Sequence, residues 1–158
     1  MSIESYSKND VVKLPISVNE AVENWKKFLE LKSRLLDKSD YQNIGGKVFI
    51  KKSGWRKLAQ VFNITDSIVS EKRTDREDGS ILWEFEAKAT APNGRYSIGV
   101  GSCDSRERNF SKKEHDVKST AHTRSKSRAI SDLIGGGEVS AEEIDVEEKP
   151  TRNVTPQK

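Results

Sequence analysis

The chain has 158 residues, enough for one domain with tails. Charged residues make up 34% and hydrophobic ones 33%, too lean for a core spanning the whole length, so disordered ends are expected. The net charge of +3 conceals a division: residues 138–158 hold six acids and three bases, leaving 25 bases against 19 acids in residues 1–137. A basic body with an acidic tail suits a polyanionic partner.

In chain order, Met1 to Ile16 lacks periodicity and reads as a flexible arm. Ser17 and Glu20 have capping-box spacing, and Val18, Ala21, Val22, Trp25, Phe28, Leu29, Lys32, Leu35 and Leu36 recur at three-and-four intervals, with Lys32 the one polar entry. This predicts an amphipathic N-terminal helix of about five turns, whose stripe packs on its own domain or on a neighbouring subunit. Tyr41 to Gly46 is turn-like and leads into an extended run, Lys47 to Ile50. Ser53 can cap a second helix, Gly54 to Phe62, with Trp55, Leu58, Ala59 and Phe62 on one face. Lys47, Lys51, Lys52, Arg56 and Lys57 crowd around its start, where unpartnered N–H groups already favour anions.

Three strands are predicted next: Asp66 to Arg73, Ile81 to Thr90 and Arg95 to Gly101, separated by Glu77-Asp78-Gly79 and Pro92-Asn93-Gly94 turns. The middle strand puts Ile81, Trp83, Phe85, Ala87 and Ala89 on one face and Glu84, Glu86 and Lys88 on the other. The pattern is an antiparallel meander with one buried face, and the outward acids argue against nucleic acid lying across it. Any groove should run between the sheet and the helix that follows. Ser102 to Glu114 reads as a polar loop carrying Arg106, Arg108, Lys112 and Lys113.

Asp116 to Ile134 is the last predicted helix, stopped by Gly135-Gly136-Gly137. On a helical wheel Arg124 and Arg128 flank Val117, with Thr120 and Ser131 beside them, while Ile130, Leu133 and Ile134 form an opposite, core-facing arc. Lys118 adds a further base, and Lys126 falls within the apolar arc. Arginine forks with neighbouring hydroxyls suit phosphate. Beyond Gly137 the acidic segment 138–158 is expected to be a disordered tail that competes for the basic surface. Its deletion should then tighten polyanion binding at low salt, and unchanged affinity would count against that role.

No catalytic set emerges, so no enzyme activity and no cofactor are expected. The glycine triplet follows a helix instead of opening one, unlike a phosphate-binding loop. Cys103, Asp104, His115, Asp116 and His122 could at most supply a zinc site, without CxxC or HxxxH spacing to support it. With one cysteine no intrachain disulfide is possible, and a reducing, cytoplasmic setting fits. The polar start MSIESYSKND is not a signal peptide, and no apolar run reaches the length of a membrane span. Trp25, Trp55, Trp83, Phe28, Phe62 and Phe85 fit core positions, leaving Tyr6, Tyr41, Tyr96 and Phe110 freer to meet bases.

The order strand, helix ending in LAQVFNI (Leu58 to Ile64), meander, polar loop and small-residue helix with TRSKSRAISDLIG (Thr123 to Gly135) resembles the DNA-binding core of the single-strand annealing superfamily. That group includes the Rad-fifty-two recombination mediators, the bacterial DdrA proteins and the phage RecT and Erf annealing proteins. The resemblance covers about Tyr41 to Gly137. LAQVFNI is similar to the family's LA-x-x-x-FG, with Asn63 in place of glycine, and Ser127 to Ile130 is similar to its KRAL run, with Ser127 replacing lysine.

The resemblance implies an α+β fold, a β-β-β-α annealing-protein core within residues 17–137, and homo-oligomeric rings or filaments. It implies binding of single-stranded DNA and strand annealing in recombination or repair, beside recombination or replication proteins. Arg128 inherits the phosphate-contact role most directly, while Ser131 stands where a further arginine is common. The candidate DNA-binding set is Lys51, Lys52, Arg56, Lys57, Arg106, Arg108, Lys112, Lys113, Lys118, Arg124 and Arg128. Removing Arg124 and Arg128 together is expected to cut single-strand binding and leave the fold intact. The alternatives are a nucleic-acid-binding module or regulator that does not anneal, a metal-dependent enzyme using Cys103, His115 and His122, and a structural subunit whose basic helix meets an acidic protein.

Overall fold

The computed structural model describes residues 16–135. The expected arm (all but Ile16) and the acidic tail with its competitor role lie outside the described residues. The chain divides into two compact units at the Leu35/Leu36 boundary.

The first unit contains α1, Val18–Leu35. Its start is capped as expected, with the Glu20 N–H donating to Ser17 Oγ at 3.2 Å. None of its eighteen residues is buried. Trp25, expected in a core, is 49% exposed and meets Phe28 in a tilted contact, 5.2 Å between ring centroids.

The second unit begins with a short turn of 3-10 helix, Lys38–Asp40, then a hairpin of β1, Tyr41–Ile44, and β2, Lys47–Ile50. The stretch read as a turn is thus mostly strand, paired from Tyr41↔Ile50 to Ile44↔Lys47. Only Gly45 and Gly46 turn, with φ of 59° and 84°, a geometry that glycine adopts without steric penalty. β1 is short, and Gln42 and Asn43 carry no strand signal. Helix α2, Lys52–Val61, starts ahead of expectation, with Lys51 in the N-cap position and no side-chain cap; Ser53 lies inside the first turn. Trp55, Leu58 and Ala59 are buried as the spacing predicts. Asn63 then takes φ 53°, the left-handed conformation that asparagine tolerates and glycine prefers.

The strands β3, Thr65–Asp75, β4, Ile81–Thr90, and β5, Tyr96–Asp104, form a three-stranded antiparallel sheet in that order, so the molecule is α+β. β4 matches its predicted bounds and faces: Ile81, Phe85, Ala87 and Ala89 are buried. β5 runs three residues past its expected end. Ser102, Cys103 and Asp104 keep the two-residue alternation and pair with Glu84, Trp83 and Leu82, so the loop begins later than its polarity implied. Helix α3, Lys113–Ile134, starts three residues early, where Asp116 Oδ2 accepts the Lys112 N–H at 3.1 Å.

The packing of α3 on β5 sets the architecture. Gly99 and Gly101 face the helix, and a Cβ on Gly101 would lie 2.6 Å from the Ala121 carbonyl oxygen. One on Gly99 would overlap the Ala129 amide and the Ser125 carbonyl. Ser97, the next inward residue, donates its hydroxyl to the Ala129 carbonyl. Two residues of strand advance about 6.7 Å and four residues of helix about 6 Å, so the two elements stay in step. Ser97, Gly99 and Gly101 therefore meet Ala129, Ser125 and Ala121 in turn, with helix and strand antiparallel.

This contact corrects the expected rotation of α3. Val117, placed on the outward side, is fully buried in a core of Ile81, Phe85, Cys103 and Ala121. Small side chains face the sheet because a strand of glycines admits a helix backbone and excludes bulk. α2 also packs on α3, and Thr123, Ser127 and Ile130, on the arc away from the sheet, are buried too. Ile130 thus fulfils its core role, while Leu133 and Ile134 are only half-buried.

Candidate nucleic-acid interface

With both broad arcs of α3 covered, its chemistry is confined to two narrow flanks. One overlooks the outer edge of β5. There Arg124 Nη1 donates to the Ser102 carbonyl at 2.8 Å and Arg128 Nη1 to the Val100 carbonyl at 3.0 Å. Residues four apart on the helix meet carbonyls two apart on the strand, the same step as the glycine contact. An edge strand exposes unpaired carbonyls that invite another chain, and the arginines cap these two. Arg124 also pairs with Glu107 at 3.0 Å, and its side chain is only 12% exposed. The expectation that Arg124 points outward is therefore corrected: it lies against the sheet edge and a carboxylate. Arg128 remains exposed.

The other flank overlooks β3. α3 lies mainly over β4 and β5, so the inward side of β3 is left beside the helix: Ile68 is half-buried, and Glu71 and Arg73 are exposed. Lys118, His122 and Lys126 project along this side at four-residue steps. Lys118 Nζ sits 4.7 Å above the Trp83 ring, and His122 meets Phe85 edge-on at 5.4 Å. Lys126 pairs with Asp66 at 2.9 Å, both side chains about a third exposed. At the far end Arg73 bridges to Glu114 at 2.6 Å and lies 5.9 Å from the Trp83 ring. Trp83 Nε1 is buried and has no hydrogen-bond partner. Burial lowers the His122 pKa, as do the charges of Lys126 and Lys52, against opposing pulls from Asp66 and Glu71. Lys52, at the start of α2, therefore belongs to the same electrostatic neighbourhood.

The candidate bases do not form one continuous trench. Lys51, Lys52, Arg56 and Lys57 surround the start of α2, but Lys57 is committed elsewhere: its Nζ lies 2.6 Å from Asp40 and 3.3 Å from Asp37. Burial pushes the Asp40 carboxyl up, yet the Lys57 ammonium and the Asp37 N–H outweigh it and hold it at about 2. Lys57 thus ties α2 to the turn before β1.

Arg106, Arg108 and Lys113 meet at a cleft of about 330 Å³ whose lining also includes Asp78, Asn109 and Phe110. Arg106 is clamped to Asp104 at 3.1 Å; with Arg76 it holds that carboxyl at about 2 despite partial burial. Arg108 lies 4.9 Å over Phe110, and Lys113 donates to the Gly79 carbonyl. Lys112 is exposed at the start of α3. The sequence reading left out His122 and Lys126, although 118, 122 and 126 carry a visible four-residue repeat. Lys126 falls in the apolar arc only if Val117 faces outward, and Val117 is buried.

The zinc alternative loses its geometry. Cys103 is fully buried, where burial and then the Glu107 carboxylate push its thiol up to about 12. Among the described residues, no three His, Cys, Asp or Glu side chains converge on a metal position. Among the described residues, no helix is long and apolar enough to cross a membrane. The chain matches no family model and no curated protein.

Proposed function

We propose that this chain binds single-stranded DNA and promotes annealing of complementary strands in recombination or repair, working as a homo-oligomer. The observation that carries the reading is the β3-side flank of α3. Lys118, His122 and Lys126 face an uncovered strip of sheet, with Lys52 nearby and an aromatic ring, Trp83, beneath the first lysine. Basic groups at one-turn spacing suit a phosphate backbone, and a pair that water still reaches, such as Lys126–Asp66, is weak enough for a phosphate to displace the carboxylate. Arg128 on the opposite flank and the bases around the 330 Å³ cleft offer further backbone contacts. The meander followed by a helix and the left-handed Asn63 agree with the annealing-core resemblance. Annealing needs no bond chemistry.

The test combines fluorescence anisotropy of a labelled oligothymidylate with an annealing assay on complementary oligonucleotides. Affinity should fall steeply with salt, since each neutralised phosphate releases about 0.7 of a counterion from single strands. Lys118→Glu with Lys126→Glu should weaken binding and reduce that salt slope. Absence of binding at low salt would overturn the proposal. Binding without faster annealing would favour the non-annealing module.

A further inference from the structure

The cleft of about 330 Å³ lies where the turn ahead of β4, the loop after β5 and the start of α3 meet. Asp78 lines it from the first, Ser105, Arg106, Arg108 and Phe110 from the second, and Lys113 from the third. Its size is that at which small-molecule sites begin. Its charge sets it apart. Lys57, Arg73, Arg124 and Lys126 each meet a carboxylate elsewhere on this unit. Here three cations share one lining acid, Asp78, whose Oδ1 already accepts the Ser80 N–H at 2.9 Å. Outside the lining, Asp104 is shared by Arg106 at 3.1 Å and Arg76 at 2.8 Å, and the charges of Arg76 and Asp104 cancel. The cleft is left with a surplus of two positive charges.

Its donors are also spare. Arg108 lies over the half-buried Phe110 ring and pairs with no carboxylate among the described residues. Lys113 gives one proton to the Gly79 carbonyl and keeps two. Ser105 Oγ accepts the Ile81 N–H at 2.8 Å, which leaves its own proton to donate. We propose that this cleft is a seat for the phosphate monoester of a nucleotide, either free or at the phosphorylated end of a strand. A monoester carries a charge of about −1.5 to −2 near pH 7 and three strong acceptor oxygens. That matches the surplus and the three cationic groups. A phosphodiester within a strand carries a single charge, and two of its oxygens are tied up in ester bonds. The choice of a nucleotide rests on the DNA-binding reading above; the preference for a monoester rests on the cleft alone.

Titrating the full chain with thymidine 5′-monophosphate, its methyl ester and thymidine, followed by amide NMR, tests the seat without any strand. The monophosphate should bind about tenfold more tightly than the methyl ester, the worth of one charge-assisted hydrogen bond. Its largest shifts should fall at Ser105, Arg108 and Lys113. Arg108→Gln with Lys113→Gln, two exposed positions, should erase that preference. Asp78→Asn enlarges the surplus while its amide oxygen can still accept from Ser80, so it should tighten the monophosphate severalfold. Anisotropy with oligothymidylates ending in a 5′-phosphate, a 3′-phosphate or neither then finds the source. A gain from one terminal phosphate places the seat at a strand end; no gain, beside firm monophosphate binding, assigns it to free nucleotide. A monophosphate that binds no better than its methyl ester overturns the proposal. So does a preference that survives in the Arg108, Lys113 variant, or an Asp78→Asn chain that binds the monophosphate more weakly. Loss of oligonucleotide binding altogether would remove the DNA reading and leave the monophosphate titration to decide the seat.

Discussion

The two flanks of α3 carry similar residues and put them to opposite uses. On the β5 side, Arg124 and Arg128 reach over a strand edge, and the closeness that allows this comes from Gly99 and Gly101. On the β3 side, Lys118 and Lys126 stand beside a strand the helix does not cover. A base becomes structural where a carbonyl and a carboxylate lie within its reach and water is largely excluded, as at Arg124, whereas Arg128 on the same edge stays exposed. A base stays within reach of a ligand where its partner is a carboxylate that water still reaches or an aromatic face. Distance from the strand edge, more than residue type, separates the two roles.

The largest expected effect comes from breaking the close flank. Gly101→Ala puts a methyl group against the Ala121 carbonyl and the Ser125 amide, neither of which can move without lifting the helix. Overpacking of this kind costs about 1–3 kcal/mol where side chains can adjust, and more against backbone. Gly101→Ala, and equally Gly99→Ala, should therefore cost about 3 kcal/mol or more in urea unfolding. A loss below about 1 kcal/mol would show that the helix does not rest on the strand as described.

Next in size is Arg124→Ala. It takes the cation from the partly buried Glu107 carboxylate, which keeps only the Asp104 N–H and the Cys103 thiol, and a hydrogen bond to a charged group is worth about 1.5–3 kcal/mol. Arg128→Ala uncaps one exposed carbonyl and should cost well under about 1 kcal/mol. The Arg124, Arg128 double substitution then no longer isolates binding, because the Arg124 half of it weakens the fold. Equal unfolding midpoints for the two single variants would erase the distinction between a buried and an exposed arginine on this flank.

Much of this was legible in the sequence. The bounds and faces of β4, the meander and the core face of α2 followed from alternation and helical spacing, since large apolar side chains mark their own faces. The rotation of α3 was not legible from apolar weight. Its sheet-facing stripe is Ala121, Ser125 and Ala129, which carry almost no hydrophobic signal, and the matching signal lay in another element, Gly99 and Gly101. A glycine every second residue on a strand, read with a small residue every fourth on a helix, would have located the contact. Arg124 was misplaced for the same reason, while the basic character of the region came through intact. Lys57 shows a different limit: its partner Asp40 is seventeen residues away, and only the fold brings the two together.

The open flank is sharpened by a substitution that should leave stability alone. Lys118→Glu reverses a charge held only above a ring face, so unfolding midpoints should shift by less than about 0.5 kcal/mol. Anisotropy should nonetheless show weaker oligonucleotide binding, with the largest difference at low salt. If Lys118→Glu binds like wild type while Arg128→Ala does not, the ligand follows the β5 side and the roles of the two flanks are reversed.

The smallest effect, and the most specific to the open flank, concerns His122. Its pKa is lowered by burial and by Lys126 and Lys52, so the folded state disfavours the proton that the unfolded state accepts near the ordinary value of 6.5. The stability this neutral form contributes is fully present above that value. It is lost as pH falls through 6.5 towards the lower folded pKa, because the unfolded chain then binds more protons. A phosphate settling between Lys118 and Lys126 reverses the local field and favours the imidazolium. Oligonucleotide affinity should therefore rise as pH drops below neutrality, and His122→Gln should abolish that rise. Only two histidines are present, so an NMR titration resolves them. Bound oligonucleotide should move the His122 midpoint upward. A His122 midpoint unmoved by saturating oligonucleotide would place the ligand away from this flank.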